Sequence, residues 1–189
     1  MSGRVRGYLG MSLDGRIADP GDDLGWLDES RPRAVGGPVP ATAGEWLSYE
    51  DFTAAVGVLL MGRRTFDVVS GFDEWFYGEL AVLVATHRPL PASSPPTVTS
   101  ISGTVDEVVA EARRLSGGND VYVDGGQLVC AVLDAGLLDE LTTTVLPTVR
   151  GPGVGLFDAL RGPHELELVR VATNEGGAVQ LTWVTGSAA

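Results

Sequence analysis

Two short segments carry residue types that bind anions, MGRRT at 61–65 and DGGQ at 124–127. In each, an apolar run of strand type enters glycine and passes directly into a helical pattern. A helix N-terminus presents unpaired backbone N–H groups and a partial positive charge, and glycine removes the Cβ that would obstruct a phosphate. Two such turns on neighbouring strands would open on one crevice at the strand carboxyl ends, the geometry of a diphosphate site. Gly62 is followed by Arg63, Arg64 and Thr65, and the strand ending at Thr86 runs on into His87 and Arg88. Arginine in the first turn of a helix opposes the helix dipole, which an anion bound there would offset. Three arginines exceed what a bare diphosphate needs and suggest a further phosphate, such as the 2′-phosphate of NADP(H). The competing reading makes Arg63 and Arg64 solvated first-turn residues. Gly125 and Gly126, followed by Gln127, have close helix packing as their own competing reading. No G-x-G-x-x-G occurs, and GPGVG at 151–155 does not satisfy it, so a standard Rossmann domain is disfavoured.

The rest of the composition narrows the chemistry. All basic side chains are arginine, and the absence of lysine removes Schiff-base chemistry and a P-loop from consideration. A formal net charge of −12 argues against nucleic acid, whose phosphates demand a cationic face. Cys130 is the single cysteine and sits in the apolar run LVCAVL, which reads as a core thiol. With only His87 and His164 beside it, no zinc-type cluster is spaced along the chain, and no metal is expected. No apolar run approaches the roughly 20 residues of a membrane span, and the start shows no signal-peptide pattern. The expectation is a soluble cytoplasmic protein without a membrane or nucleic-acid partner, built as one domain over 1–189.

The elements that would position the two turns follow from periodicity. Residues 4–12 read as an opening strand, and DGRIADPGDDLGW as a mobile loop rich in Gly, Pro and Asp. After a loop at 31–44, Thr42 and Glu45 match a capping box, predicting a helix through EWLSYEDFTAAV. VLLMG at 58–62 and AVLVAT at 81–86 read as buried strands, with RRTFDVVS as a helix after the first. TVTSI is a strand, TVDEVVAEARRL at 104–115 a helix with charges matched to its dipole, and VYVD at 121–124 a strand. GGQLVCAVLDAG is a helix that Gly136 caps, and 138–147 a strand. HELELVRVAT and AVQLTWVT close the chain as an antiparallel pair around NEGG. Strands alternating with helices, then a hairpin, predict an α/β fold with a mostly parallel sheet covered on both faces.

In order along the chain, MSLDGRIA, DLGWL, LLMGRRTFDVV, VATHRP, VYVDGGQLVCAVLDAGLLDEL and LPTVRGPGVGLF resemble the dihydrofolate reductase-like superfamily. Within it they are similar to the group related to the C-terminal reductase domain of the riboflavin-biosynthesis protein RibD. The resemblance covers nearly the whole chain. It implies a three-layer α/β/α fold around a mixed, mostly parallel eight-stranded sheet with a C-terminal antiparallel hairpin, NADPH as hydride donor, and a homodimer. It places Arg63 at the 2′-phosphate, Arg64 and Thr65 beside the diphosphate, and Thr86, His87 and Arg88 at the adenosine and 2′-phosphate corner. Gly62, Gly125, Gly126 and Gln127 fall on the diphosphate turns, and Gly10, Ile17 and Ala18 on the backbone that cradles the nicotinamide. Asp14 lies at the loop entrance.

Hydride transfer also needs a proton source. No residue matches the superfamily's single carboxylate; Asp14, Glu50 and Asp51 are the candidates, Glu45 being assigned to the capping box. Trp26 and Trp46 could stack on a planar substrate, with core packing as the competing role. RibD's zinc-bearing deaminase half is absent, as is a recognisable ribose-phosphate pattern after the first strand. The reading is therefore an NADPH-dependent reductase acting on a C=N or C=O of a small pteridine-like or pyrimidine-like compound. A non-catalytic NADP(H)-binding or sensor protein is the alternative.

Overall fold

A computed structural model describes residues 3–29 and 44–186. Its frame is one eight-stranded sheet. In chain order the strands are β1 (Val5–Ser12), β3 (Val56–Gly62), β4 (Ala81–Ala85), β5 (Val98–Ile101), β6 (Asp120–Asp124), β7 (Glu140–Leu146), β9 (Leu166–Thr173) and β10 (Val179–Thr185). Two short strands, β2 (Arg16–Ala18) and β8 (Val154–Gly155), pair separately. The spatial order is β5-β4-β3-β6-β1-β7-β10-β9, parallel through β7 and antiparallel over the last two strands, as the alternating pattern predicts.

The central parallel strands β3, β4 and β6 are buried on both faces, which is why they read as continuous apolar runs. On β3, Val58 and Leu60 join one core cluster while Leu59 and Met61 join the other. The first cluster packs beneath α4 (Val105–Leu115) and α5 (Gly126–Asp134), through Val108, Val109, Ala112, Val129, Val132 and Leu133. The second packs against α2 (Tyr49–Thr53) and α3 (Arg63–Val69), through Phe52, Phe66 and Val69. Three layers result. Cys130 belongs to the first layer, fully buried, with its thiol raised in pKa chiefly by that burial.

The helix ends follow local rules. Thr104 and Glu107 form a reciprocal capping box at α4, the structural form of a T-x-x-E pattern. Gly136, at φ +67°, ends α5 in a Schellman motif, with Gly136 N–H donating to Leu133 O and Leu137 N–H to Val132 O.

Two expectations need correction. The first long helix contracts to α2, whose N-cap is Ser48; Glu45 and Trp46 precede it, and Thr42 lies outside the described residues. The Ser48 hydroxyl accepts the Asp51 N–H at 3.0 Å and donates to the Asp51 carboxylate at 2.6 Å. This later capping signal prevails because β3 already begins at Val56. Nor is the Gly/Asp-rich stretch after β1 loose. β2 pairs with β8, Asp14 accepts the N–H groups of Arg150 (3.0 Å) and Gly151 (2.7 Å), and Arg150 forms an ion pair with Asp19. The stretch also contains a short helix, α1 (Gly25–Glu29).

Candidate active site

The two glycine turns do stand side by side. β3 and β6 are neighbours, so α3 and α5 start at the same edge of the sheet. Gly125 has φ +92°, and a Cβ there would collide with Thr65 Oγ1, so both backbone and packing require glycine. A Cβ on Gly126 would press on Ile17 and the Leu156 carbonyl. Gly62 differs: a Cβ there would meet nothing within 4 Å. Glycine at 62 therefore keeps open a space that the chain itself does not fill.

That space belongs to a cavity of about 390 Å³. Gly10, Ile17, Ala18, Gly62, Arg64, Thr65, Gly125, Gly126 and Gln127 line it, bringing together nine positions chosen from sequence. Arg64 is held by Asp22 of the preceding loop through Nε (2.8 Å) and Nη2 (2.6 Å). Arg63, Thr86, His87 and Arg88 are not among the lining residues and form an outer corner. There Arg63 Nε contacts Asp67 at 2.7 Å, Arg88 Nη2 contacts the same carboxylate at 3.3 Å, and Arg63 Nη1 donates to Pro89 O at 2.9 Å. Two cations share one carboxylate, leaving positive charge for an incoming anion.

The proposed proton donors do not reach the cavity. Asp14 receives the Ser12 hydroxyl at 2.6 Å as well as the two backbone N–H groups, and these hold its carboxyl well below the usual carboxylate range. Its role is to pin the loop. Glu50 and Asp51 are exposed on α2, and Asp51 is occupied with Ser48. The tryptophans also lie elsewhere. Trp26 is buried, with the Arg150 guanidinium 5.3 Å from its ring centre, because the loop carrying Arg150 folds over it. Trp46 is half-buried outside the cavity wall.

Two carboxyls line the cavity: Asp22, which is paired with Arg64, and Asp124, the last residue of β6 and the first of DGGQ. Asp124 Oδ1 accepts the Gly125 N–H at 2.8 Å and its Oδ2 the Tyr77 hydroxyl at 3.4 Å. Burial pushes its pKa up to about 6, against the lowering effect of those two donors. Around it stand all four tyrosines of the chain, Tyr8, Tyr49, Tyr77 and Tyr122. The Tyr122 hydroxyl donates to Tyr8 O at 2.9 Å, and the Tyr8 hydroxyl donates to Leu47 O at 2.9 Å. Burial raises the pKa of each tyrosine, that of Tyr49 to about 12. All four stay protonated near neutrality, leaving Asp124 as the group here poised to exchange a proton in the neutral range.

A sheet of this order, with helices on both faces and two helix starts opening on one crevice, is the dihydrofolate reductase-like fold. Within that fold the chain is of the RibD C-terminal-domain type, and it belongs to one family with the uncharacterized protein YwjB of Bacillus subtilis. The two are 30% identical over 178 residues, covering 94% of this chain and 95% of YwjB. Among solved structures it is similar to a Shewanella sp. PV-4 protein named for riboflavin biosynthesis, with 27% identity, a TM-score of 0.78, and 98% and 99% of the two chains covered. Dihydrofolate reductase from Enterococcus faecalis, solved with NADP(H), shares the fold at a TM-score of 0.65 and 16% identity, over 99% of each chain. No family model matches the chain. Among the described residues, no helix is long and apolar enough to cross a membrane.

Proposed function

We propose that this chain is an NADPH-dependent reductase that reduces a C=N or C=O bond of a small planar, pteridine-like or pyrimidine-like compound. The observation that carries the reading is one cavity that joins both glycine turns to a half-buried, protonatable carboxyl. NADPH, when bound, supplies the hydride. Gly10, Ile17 and Ala18 would hold its nicotinamide end, and the turns at Gly62–Thr65 and Gly125–Gln127 its diphosphate. Arg63, Thr86, His87 and Arg88 would receive the adenosine and its 2′-phosphate. The Arg64–Asp22 pair is exposed, and such pairs contribute about 0–1 kcal/mol, whereas a hydrogen bond to a charged group contributes about 1.5–3 kcal/mol. A phosphate can therefore draw Arg64 from Asp22 at small cost.

The chain's own chemical part is proton delivery. Asp124, protonated below about pH 6, gives its proton to the nitrogen or oxygen of the acceptor as the carbon is reduced. Tyr77 steadies the carboxylate left behind by donating its hydroxyl to Oδ2. The alternative of a non-catalytic cofactor-binding protein drew its support from the lack of an acid, and Asp124 removes that support.

Thermal denaturation with each nucleotide tests the cofactor. NADPH at 100 times its dissociation constant should stabilise the fold by about 2.7 kcal/mol. Arg63→Ala should weaken NADPH about tenfold, the loss of one charged hydrogen bond, and leave NADH nearly unchanged. No stabilisation by either nucleotide at millimolar concentration contradicts the reading, as does an equal loss for both in the variant. The expected assembly is a homodimer, which light scattering at twice the chain mass supports and a monomer mass contradicts.

A further inference from the structure

Much of the cavity wall is built of rings. Beyond the four tyrosines, Phe72 and Phe76 line it as an edge-to-face pair with centroids 5.4 Å apart, 40% and 66% exposed. Phenyl rings left in water at a cavity rim gain stability when an apolar surface covers them. Tyr49, also lining the cavity, is 41% exposed and meets Tyr8 and Tyr122 at 5.9 and 6.4 Å.

The charges on this wall have one sign. Among the described residues that line the cavity, Arg64 is the one basic side chain, and it stands at the phosphate turn bound to Asp22. Asp124 has hydrogen-bond donors and no basic partner among the described residues. An anionic group lodged among these rings would lose its hydration to an aromatic wall that offers no cation among its described residues in return.

We infer that the substrate is an uncharged, flat, unsaturated ring compound carrying neither phosphate nor carboxylate, held among the tyrosine and phenylalanine rings with its acceptor bond toward Asp124. This rests on the reductase reading and adds the substrate class to it. Tails with several negative charges, such as a phosphoribosyl or glutamyl group, fall outside that class.

Titration calorimetry of the full chain, alone and saturated with NADP+, tests the inference with two matched pairs. One is 6-methyl-7,8-dihydropterin against 7,8-dihydrofolate, the other pyridoxal against pyridoxal 5′-phosphate; the chain has no lysine to capture either aldehyde. The neutral member of each pair should bind at least about tenfold more tightly. Phe76→Arg, at an exposed rim position, should reduce that preference by about tenfold or reverse it. Equal or tighter wild-type binding of the anionic member overturns the inference, as does failure of both neutral rings to bind. A preference for the neutral rings without any NADPH oxidation supports the ligand class while contradicting the reductase reading, so the two failures are distinguishable.

Discussion

Asp120 and Asp124 stand at the two ends of β6 and share one face of it, yet their surroundings are opposite in kind. At the start of the strand, Asp120 accepts the Arg4 N–H at 2.8 Å and a buried Arg6 guanidinium at 3.0 Å, and Glu140 binds both arginines from the far side of β1. The Arg6 guanidinium also lies 4.7 Å from the Phe52 ring centre. Every charge there has a partner, and the strand amino ends are locked together. At the end of the strand, Asp124 has a backbone N–H and a tyrosine hydroxyl but no cation, and it opens on a cavity. The same residue type is thus structural where it is neutralised and chemically available where it is only solvated by dipoles. The first arrangement holds the sheet in register; the second leaves a proton free to move.

Substitutions can break this contrast at either end. The largest effect on stability should come from Asp120→Ala, because it leaves the buried Arg6 guanidinium with Glu140 alone and the Arg4 N–H without its acceptor. A loss of about 3 kcal/mol is expected in urea denaturation, with activity per folded molecule little changed. Asp124→Asn should behave in the opposite way, with a loss of about 100-fold in kcat/KM, the lower end for a general acid, and no loss of stability. If Asp120→Ala instead abolished activity in fully folded protein, the division between the two ends would fail.

A smaller effect comes from pH. The carboxyl of Asp124 titrates near its usual value in the unfolded chain and near 6 in the folded one. Between about pH 4 and 6 the folded state holds a proton that the unfolded state has released, so this group's contribution to stability falls as pH rises through that window. Other carboxyls, Asp14 among them, have lowered values and act in the opposite sense at more acid pH. The difference between wild-type and Asp124→Asn stability curves isolates the one group and should widen in favour of the variant from pH 4 to 6, then level off. The smallest expected change is that of Tyr77→Phe. It removes a donor that favours the ionised carboxylate, so the midpoint of the pH–rate profile should move upward, by about half a unit given the length of the bond. A downward move would contradict the assigned hydrogen bond.

Much of the frame was legible because it depends on local signals. Runs such as VLLMG and VYVD are strand-length, apolar and followed by glycine, and Thr86 through Pro89 break the chain where β4 ends. The two turns were legible for the same reason, and the structure brings them to one edge. Asp124 is the first residue of DGGQ, and in sequence it shows only as the end of the strand VYVD. Its character depends on burial and on Tyr77, 47 residues away in the chain, and neither has a sequence signature. The tyrosines at 8, 49, 77 and 122 converge only through the sheet order, which places β1 beside β6 and sets α2 and the segment after α3 above them. β2 and β8 are too short to show a period, and Trp26 is covered by an arginine from the distant loop before β8. What sequence missed was set by contacts between segments far apart in the chain.

The pH dependence of kcat/KM for NADPH oxidation, with a neutral C=N acceptor such as 6-methyl-7,8-dihydropterin, tests the assignment of Asp124 most directly. The wild-type rate should fall above about pH 6 as Asp124 loses its proton, and Asp124→Asn should be slow and flat across that range. A variant that kept both the wild-type rate and the wild-type fall with pH would contradict the assignment.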